Sequence, residues 1–171
     1  YAIDLNNSQA QLVGNSIRGV ENNSGIRVRG QTRALIKDNL ILTTAKAGIE
    51  VNEQVGALLL TGNRIGDSKG NGIQLRSLTG KDGALMIVGN LISNSQGSAI
   101  DGSEVQSLSI LDNHISASPE YAISLRNALP LPGELALTGN RLGTSGKAVV
   151  RIEGIDNVVL GSNEYQGKPL L

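Results

Sequence analysis

Charged and polar residues recur at two fixed positions, one and three residues after a repeated isoleucine or valine. The first series is Asp4, Arg27, Glu50, Gln74, Asp101, Ser124 and Arg151. The second series is Asn6, Arg29, Asn52, Arg76, Ser103, Arg126 and Glu153. Arginine guanidinium groups bind carboxylates through two parallel N–H···O bonds, so these series indicate a surface for an anionic sugar polymer. The competing interpretation is a solvated face on which charges of opposite sign alternate.

The same residues bear on whether this surface is catalytic. Epimerisation or β-elimination of a uronan requires a cation for the sugar carboxylate, a base for the C5 proton and an acid on the opposite side. Arg76 and Arg126 are the candidate cations. Asp101 is the candidate base, or the residue that orients one, and Tyr121 is the candidate proton donor. Hydrolysis would instead require two opposed carboxylates, for which Asp101 and Glu104 are the candidates. The sequence leaves the catalytic residues unknown.

Motifs for metals and cofactors are missing from the sequence. The chain has no Cys and a single His, His114, which excludes thiolate metal sites and leaves no His pair for zinc or copper. No acidic cluster is typical of a calcium or magnesium site. We therefore expect no metal and no other cofactor. We also expect His114 to face away from the surface that carries the two polar series.

The repeated isoleucines belong to a repeat that runs through the whole chain. Its second mark is an asparagine with an aliphatic residue three positions before it and an apolar residue two positions after it. Seven asparagines have this frame, at spacings of 24, 24, 27, 23, 27 and 23 residues: Asn15, Asn39, Asn63, Asn90, Asn113, Asn140 and Asn163. Apolar residues alternate with other residues around them, which indicates β-strands. A fixed period of this length indicates a solenoid whose repeats stack on one another.

Coils of about 23 residues with short strands and tight corners predict a single-chain parallel β-helix of about seven coils. Each strand of such a fold pairs with the equivalent strand of the next coil, about 4.8 Å away, so equivalent side chains stack in columns. An inward asparagine can then donate its amide N–H to the side-chain carbonyl of the next asparagine without water. We therefore expect the seven asparagines to be buried and structural.

The motif Gly25-Ile26-Arg27-Val28 followed by Ile36-Lys37-Asp38-Asn39-Leu40-Ile41 resembles the right-handed parallel β-helix repeats of secreted carbohydrate-binding and sugar-cleaving proteins. Mannuronan C5-epimerases and periplasmic copper-processing β-helix proteins carry similar repeats, and the resemblance covers residues 3 to about 165. It implies an all-β fold, a single-stranded right-handed parallel β-helix. The Asp-Pro-His-Asp or Asp-Pro-His-Glu signature of the epimerases is absent, because the only histidine, His114, has no neighbouring proline.

This resemblance also sets the functional expectation. It implies a secreted or periplasmic protein that binds or modifies an anionic polysaccharide, a uronan such as alginate or pectate. If the chain is an enzyme, the resemblance implies a polysaccharide C5-epimerase or a lyase-like protein. The alternative is a non-catalytic structural rod, such as an adhesin, stalk or phage tail-spike segment.

Two connections and one glycine interrupt the regular repeat. Long connections over residues 77–83 and 127–133 follow Arg76 and Arg126 and flank a shorter fifth coil, and solenoid loops often carry binding. In that coil Gly102 takes the place of an inward aliphatic residue, which indicates a functional site or a bulge. We therefore predict a ligand-binding cleft at coils four to six. Its candidate residues are Glu50, Arg76, Asp101, Ser103 and Arg126.

Composition limits the partners of the chain. The 171 residues have a formal net charge of zero, so we expect no nucleic-acid partner, and no apolar run is long enough to span a membrane. With three Tyr and neither Trp nor Phe, a platform for stacking sugar rings is nearly excluded. We expect a single β-helix domain over residues 1–171, as part of a longer β-helix or with its coil ends covered by a capping segment or another copy, because uncapped ends expose the core.

Overall fold

The computed structural model describes residues 1–53, 56–78, 84–131 and 133–170, with only the backbone at 128–131. The chain passes through three β-strands in each of seven coils, and equivalent strands form three parallel sheets. Sheet A contains β1 (Ile3–Asn6), β4 (Ile26–Arg29), β7 (Ile49–Asn52), β10 (Ile73–Leu78), β13 (Ile100–Val105), β16 (Ile123–Leu131) and β19 (Val150–Ile155). Sheet B contains β2 (Gln9–Val13), β5 (Arg33–Lys37), β8 (Leu58–Thr61), β11 (Leu85–Val88), β14 (Leu108–Leu111), β17 (Leu135–Thr138) and β20 (Val158–Gly161).

Sheet C completes each coil and also contains the last strand of the chain. It contains β3 (Ser16–Val20), β6 (Leu40–Thr44), β9 (Arg64–Ser68), β12 (Leu91–Ser93), β15 (His114–Ser118), β18 (Arg141–Ser145) and β21 (Glu164–Tyr165). The additional strand β22 (Lys168–Pro169) turns back and pairs antiparallel with β21. Leu170 then packs against the core of the last coil, and its N–H donates to the Asn163 carbonyl at 2.8 Å. No helix in the described ranges is long and apolar enough to cross a membrane.

The strands pair in the register that the repeat predicts. In sheet A, Ile73 pairs with Ile49 on one side and with Ile100 on the other. Both longer connections lie between sheet A and sheet B, so they leave the pairing of sheet C undisturbed. The predicted all-β parallel β-helix is therefore confirmed.

The core consists of stacked aliphatic columns, as the repeat predicts. Strands of the central coils alternate buried and partly exposed residues, as in Leu58–Thr61 and Leu85–Val88. Large side chains that are fully buried come from all three sheets and include Ile26, Ile36, Ile41, Ile49, Leu58, Leu60, Ile65, Ile73, Leu75, Ile87, Ile92 and Ile100. Full burial of one such side chain stabilises the fold by about 1.5–3 kcal/mol relative to its exposure.

The asparagines form a continuous hydrogen-bonded ladder at the corner between sheets B and C. In its central rung, Asn63 Nδ2 donates to Asn90 Oδ1 at 2.9 Å and also to the carbonyl of Ile36, one coil back, at 2.8 Å. The same Asn90 Oδ1 accepts the backbone N–H of Asn63 at 2.9 Å. Equivalent side-chain bonds of 2.9–3.0 Å join all seven asparagines. The prediction that these residues are structural is confirmed. Six of the seven are buried as expected, whereas Asn15 in the first coil is partly exposed.

Candidate functional site

Sheet A carries all five predicted site residues on its outward side. Asp101 pairs with Gln74 on one side and Ser124 on the other, while Ser103 pairs with Arg76 and Arg126. Because side chains alternate between the two faces of a strand, residues of these two columns share one face. The register therefore brings Asp101 and Ser103 between the two arginines.

Asp101 joins Arg76 and Arg126 into one cluster. Arg126 Nη2 donates to Asp101 Oδ1 at 3.3 Å, and Arg76 Nη2 lies 3.9 Å from Asp101 Oδ2. Arg76 Nη1 also donates to Ser103 Oγ at 3.2 Å. The Asp101 side chain is only 8% exposed, whereas the side chains of Arg76 and Arg126 are 47% and 42% exposed. The carboxylate is thus covered by the two guanidinium groups that it holds in place.

Gln74, on the same strand as Arg76, adds a further hydrogen bond to this cluster. With its amide oxygen oriented towards Arg76, Gln74 accepts an N–H bond from Nη2 at 3.0 Å. The sequence contained a signal for this role, because Gln74 lies next to Asp101 in the first polar column.

Glu50 lies outside the cluster. Its Oε2 accepts a hydrogen bond from Ser24 Oγ at 2.6 Å, and its Oε1 accepts one from Asn52 Nδ2 at 2.5 Å. Gln74 separates Glu50 from Asp101 in their column. Four of the five predicted site residues therefore come together, and Glu50 belongs to a neighbouring hydrogen-bonded group.

Gly102 is explained by packing in the core. The pairing runs from Leu75 through Gly102 to Leu125 without a shift, so there is no bulge at this residue. A Cβ at Gly102 would lie 2.6 Å from Leu125 Cδ2 and 3.3 Å from Val105 Cγ2. Neighbouring side chains thus fill the inward space that Gly102 leaves. The prediction of a bulge at Gly102 is wrong, and the prediction that Gly102 marks a functional site stays a prediction.

Asn127 is a buried residue whose role the sequence analysis missed. Its Oδ1 accepts the Val105 N–H at 2.9 Å, and its Nδ2 donates to the Val105 carbonyl at 3.0 Å. The side chain thereby replaces the backbone partner of Val105, while the pairing of β16 with β19 shifts between Arg126 and Leu131. Asn127 fixes the strand immediately after Arg126. The sequence contained a signal for a special role of Asn127, because this residue is the first of the predicted connection 127–133.

The predicted cleft between the connections 77–83 and 127–133 falls partly outside the described residues. Residues 79–83 and 132 belong to these connections and lie outside the described ranges. The backbone of 127–131 continues the strand β16. The cleft itself stays a prediction.

Charges at the two ends of sheet A pair with one another. Asp4 binds the guanidinium groups of Arg27 and Arg29. The hydrogen bond from Arg27 holds the pKa of Asp4 at about 2, below its usual 3.8. At the other end, the hydrogen bonds from Arg151 lower the pKa of Glu153. This pairing agrees with the interpretation that opposite charges alternate along the face.

Acidification is expected to weaken the coupling between the first two coils. Because the pKa of Asp4 is lower in the folded chain, the stabilisation by Arg27 is present above about pH 3.8 and is lost as the pH falls through about 2. The Asp4 side chain is 33% exposed, so we expect Arg27→Met to cost no more than about 1 kcal/mol at neutral pH. Melting temperatures of wild type and Arg27→Met should converge as the pH approaches 2. Arg18→Met, on sheet C, is the control, and a constant difference for Arg27→Met would contradict the coupling.

Tyr121, the candidate proton donor, lies beside two cations that are not part of the cluster. Lys147 Nζ and the Arg151 guanidinium carbon each lie 5.6 Å from the centre of the Tyr121 ring. His114 is exposed on sheet C, between Leu91 and Arg141, as the sequence predicts. Within the described ranges, no three His, Asp or Glu side chains are grouped so that they could hold a metal ion.

Comparison with known proteins agrees with this architecture. The family described as "Right handed beta helix region" matches residues 1–164, which include all seven coils up to the first residue of β21. No curated protein and no solved structure matches the chain. The stacked coils, the buried asparagine ladder and the family match lead to one conclusion. The chain belongs to the right-handed β-helix family.

Proposed function

We propose that this β-helix domain binds an anionic polysaccharide, a uronan of the alginate or pectate type, on the outward face of sheet A. The observation that carries the proposal is the cluster of Arg76, Asp101 and Arg126. Two guanidinium charges and one carboxylate charge leave this cluster with a net charge of +1. The arginine side chains are nearly half exposed, so a sugar carboxylate can reach them from solvent.

The spacing of the two arginines suits a polymer that runs along the coil axis. Arg76 and Arg126 belong to coils four and six, which are about 10 Å apart at about 4.8 Å per coil. Asp101 and Ser103 hold their guanidinium groups through hydrogen bonds and ion pairs. Side chains that are already oriented lose less conformational entropy on binding. Successive carboxylates of one uronan chain can therefore bind to arginines that are held in position.

The arrangement supports binding better than catalysis. One Asp101 oxygen accepts a hydrogen bond from Arg126 and the other lies in an ion pair with Arg76. A general base must reach the proton that it removes, whereas Asp101 is covered by the two arginines. We therefore assign Asp101 the positioning of Arg76 and Arg126, and we propose that this face binds the polymer without changing it.

Removal of either arginine is expected to weaken polymer binding by about tenfold, because each loses a charge-assisted contact. The variants are Arg76→Ala and Arg126→Ala, titrated calorimetrically with alginate and with pectate at low and high salt. Arg141→Ala is the matched control, since it removes the same charge from sheet C, where Arg141 is 73% exposed. We expect the control to bind as wild type does.

Four results would contradict this proposal or refine it. Absence of salt-sensitive binding by wild type would contradict it, as would an equal loss of affinity in Arg141→Ala. A neutral dextran tests whether charge is required, and binding to dextran of equal strength would also contradict the proposal. Unsaturated ends or a changed epimer ratio after incubation with the polymer would show that the domain modifies its ligand.

A second candidate function is a non-catalytic structural rod. The observation that favours it is the internal pairing of sheet A charges, in which Asp4 binds Arg27 and Arg29, and Arg151 binds Glu153. Charges that are already paired within the chain attract a charged ligand less strongly. A rod without a ligand predicts no binding to alginate or pectate at low salt, so the same titration separates the two functions.

A further inference from the structure

Sheet B presents an outward face that carries very little charge. Its first column is Gln9, Arg33, Ala57, Ala84, Ser107, Glu134 and Asn157. Its second column is Gln11, Leu35, Leu59, Met86, Ser109, Ala136 and Val159. Its third column is Val13, Lys37, Thr61, Val88, Leu111, Thr138 and Gly161. The three central coils therefore present a continuous uncharged surface with Met86 at its middle.

The three charges on this face lie at opposite ends of it. Arg33 and Lys37 belong to the second coil, and Glu134 belongs to the sixth. Arg33 and Glu134 are both exposed, and neither forms an ion pair within the part of the chain that the structure describes. Four coils separate them, about 19 Å at about 4.8 Å per coil. They are too far apart to pair within one chain.

A second copy of the chain can pair both charges at once. A two-fold axis parallel to the strands of the fourth coil reverses the direction of the coil axis in the second copy. Each column of one copy then faces the same column of the other copy. Coil two of one copy then faces coil six of the other, so Arg33 faces Glu134 of the second copy and Glu134 faces Arg33. Met86 meets Met86 of the second copy at the axis, and Lys37 meets the neutral Thr138. A parallel arrangement would instead place Arg33 against Lys37, two like charges.

We propose that sheet B is a homodimerisation surface on which two copies of this chain pack face to face with their coil axes antiparallel. A single self-complementary patch related by a two-fold axis is the commonest form of protein dimer, and stacked sheets pack about 10 Å apart. This dimer leaves sheet A of both copies open, so it goes beyond the proposed function. It also differs from a contact between coil ends.

The size of the face sets the expected strength of the dimer. Six steps of about 4.8 Å by five residues of about 3.3 Å give a plan area of roughly 480 Å² per copy. A standard interface buries about 800 Å² per partner. We therefore expect a reversible dimer with a dissociation constant in the micromolar range, which sedimentation equilibrium over a concentration series can measure.

Charge reversal tests both the surface and its orientation. Arg33→Glu and Glu134→Arg should each raise the dissociation constant about tenfold, because each places two pairs of like charges face to face. The double variant Arg33→Glu with Glu134→Arg restores opposite charges and should return the constant to that of wild type. Arg64→Glu, an exposed residue of sheet C, is the matched control and should leave the constant unchanged.

Each outcome bears on the proposal. Recovery in the double variant, with both single variants weakened, supports the antiparallel dimer. A wild-type chain that is monomeric at every concentration would overturn it, as would single variants that dimerise normally or a double variant as weak as the single ones. Melting curves at low concentration check that every variant folds. Titration of the same variants with alginate separates this proposal from polymer binding, since none of these residues lies on sheet A.

Discussion

Asn90→Ala is expected to lower the free energy of unfolding by about 3 kcal/mol, because it leaves several buried polar groups without partners. Asn90 Oδ1 accepts both the N–H and the Nδ2–H of Asn63 at 2.9 Å. Its Nδ2 donates to Asn113 Oδ1 at 3.0 Å and to the Leu60 carbonyl at 2.9 Å. The residue is 1% exposed, so water cannot replace these bonds in the folded chain. Urea unfolding followed by circular dichroism measures the loss.

Asn15→Ala is the matched control for this prediction. Asn15 is the first rung of the ladder and is partly exposed. After its removal, Asn39 Oδ1 still accepts the backbone N–H of residue 15 at 2.9 Å, and solvent can reach the site. We expect a loss below about 1 kcal/mol. Equal losses in Asn15→Ala and Asn90→Ala would show that the ladder does not contribute through its buried hydrogen bonds.

The ladder also explains why the fold could be predicted from the sequence. In a stacked solenoid a position that must be buried and polar recurs once per coil, so Asn63, Asn90 and Asn113 disclose the period directly. Aliphatic residues at fixed distances from each asparagine then identify the inward columns. Because pairing between coils is in register, neighbours in a column are neighbours in space. The grouping of Arg76, Ser103 and Arg126 follows from that rule.

The details that escaped prediction depend on which partner each side chain selects. Glu50 binds Ser24 and Asn52, although its column also offers Gln74, and column geometry does not rank such neighbours. Gly102 was wrongly predicted to form a bulge, because the side chain that fills its space, Leu125, belongs to another coil.

The apolar outward face of sheet B could not be predicted from the sequence, for a different reason. In a run such as Leu58-Leu59-Leu60, both faces of the strand are apolar, so alternation is lost and periodicity does not identify the solvent side. The structure resolves the ambiguity, since Leu58 and Leu60 are buried while Leu59 is partly exposed. Leu59 and Met86 therefore belong to one outward column.

Gly72→Ala is expected to lower the free energy of unfolding by about 2–3 kcal/mol through overpacking at the corner between sheets C and A. A Cβ at this position would lie 2.5 Å from Ile92 Cγ2 and 2.6 Å from the Ala99 carbonyl oxygen. That carbonyl accepts the Ile73 N–H at 2.8 Å, so it is fixed by the pairing of two coils. The new methyl group must therefore push the coils apart or displace Ile92. Urea unfolding measures the loss.

Gly161→Ala provides the same substitution with room for the methyl group. Its nearest neighbours, the Thr138 side-chain atoms Cγ2 and Oγ1, would lie 3.6 Å from the new Cβ, which is an ordinary van der Waals contact. We expect a change within about 0.5 kcal/mol. The column of Gly72 itself shows that the corner widens along the rod, because the next two coils accommodate Ala99 and Ala122, both fully buried. If Gly72→Ala leaves the free energy of unfolding unchanged, the fourth coil has the same space as the fifth. Packing then does not require a glycine at this position.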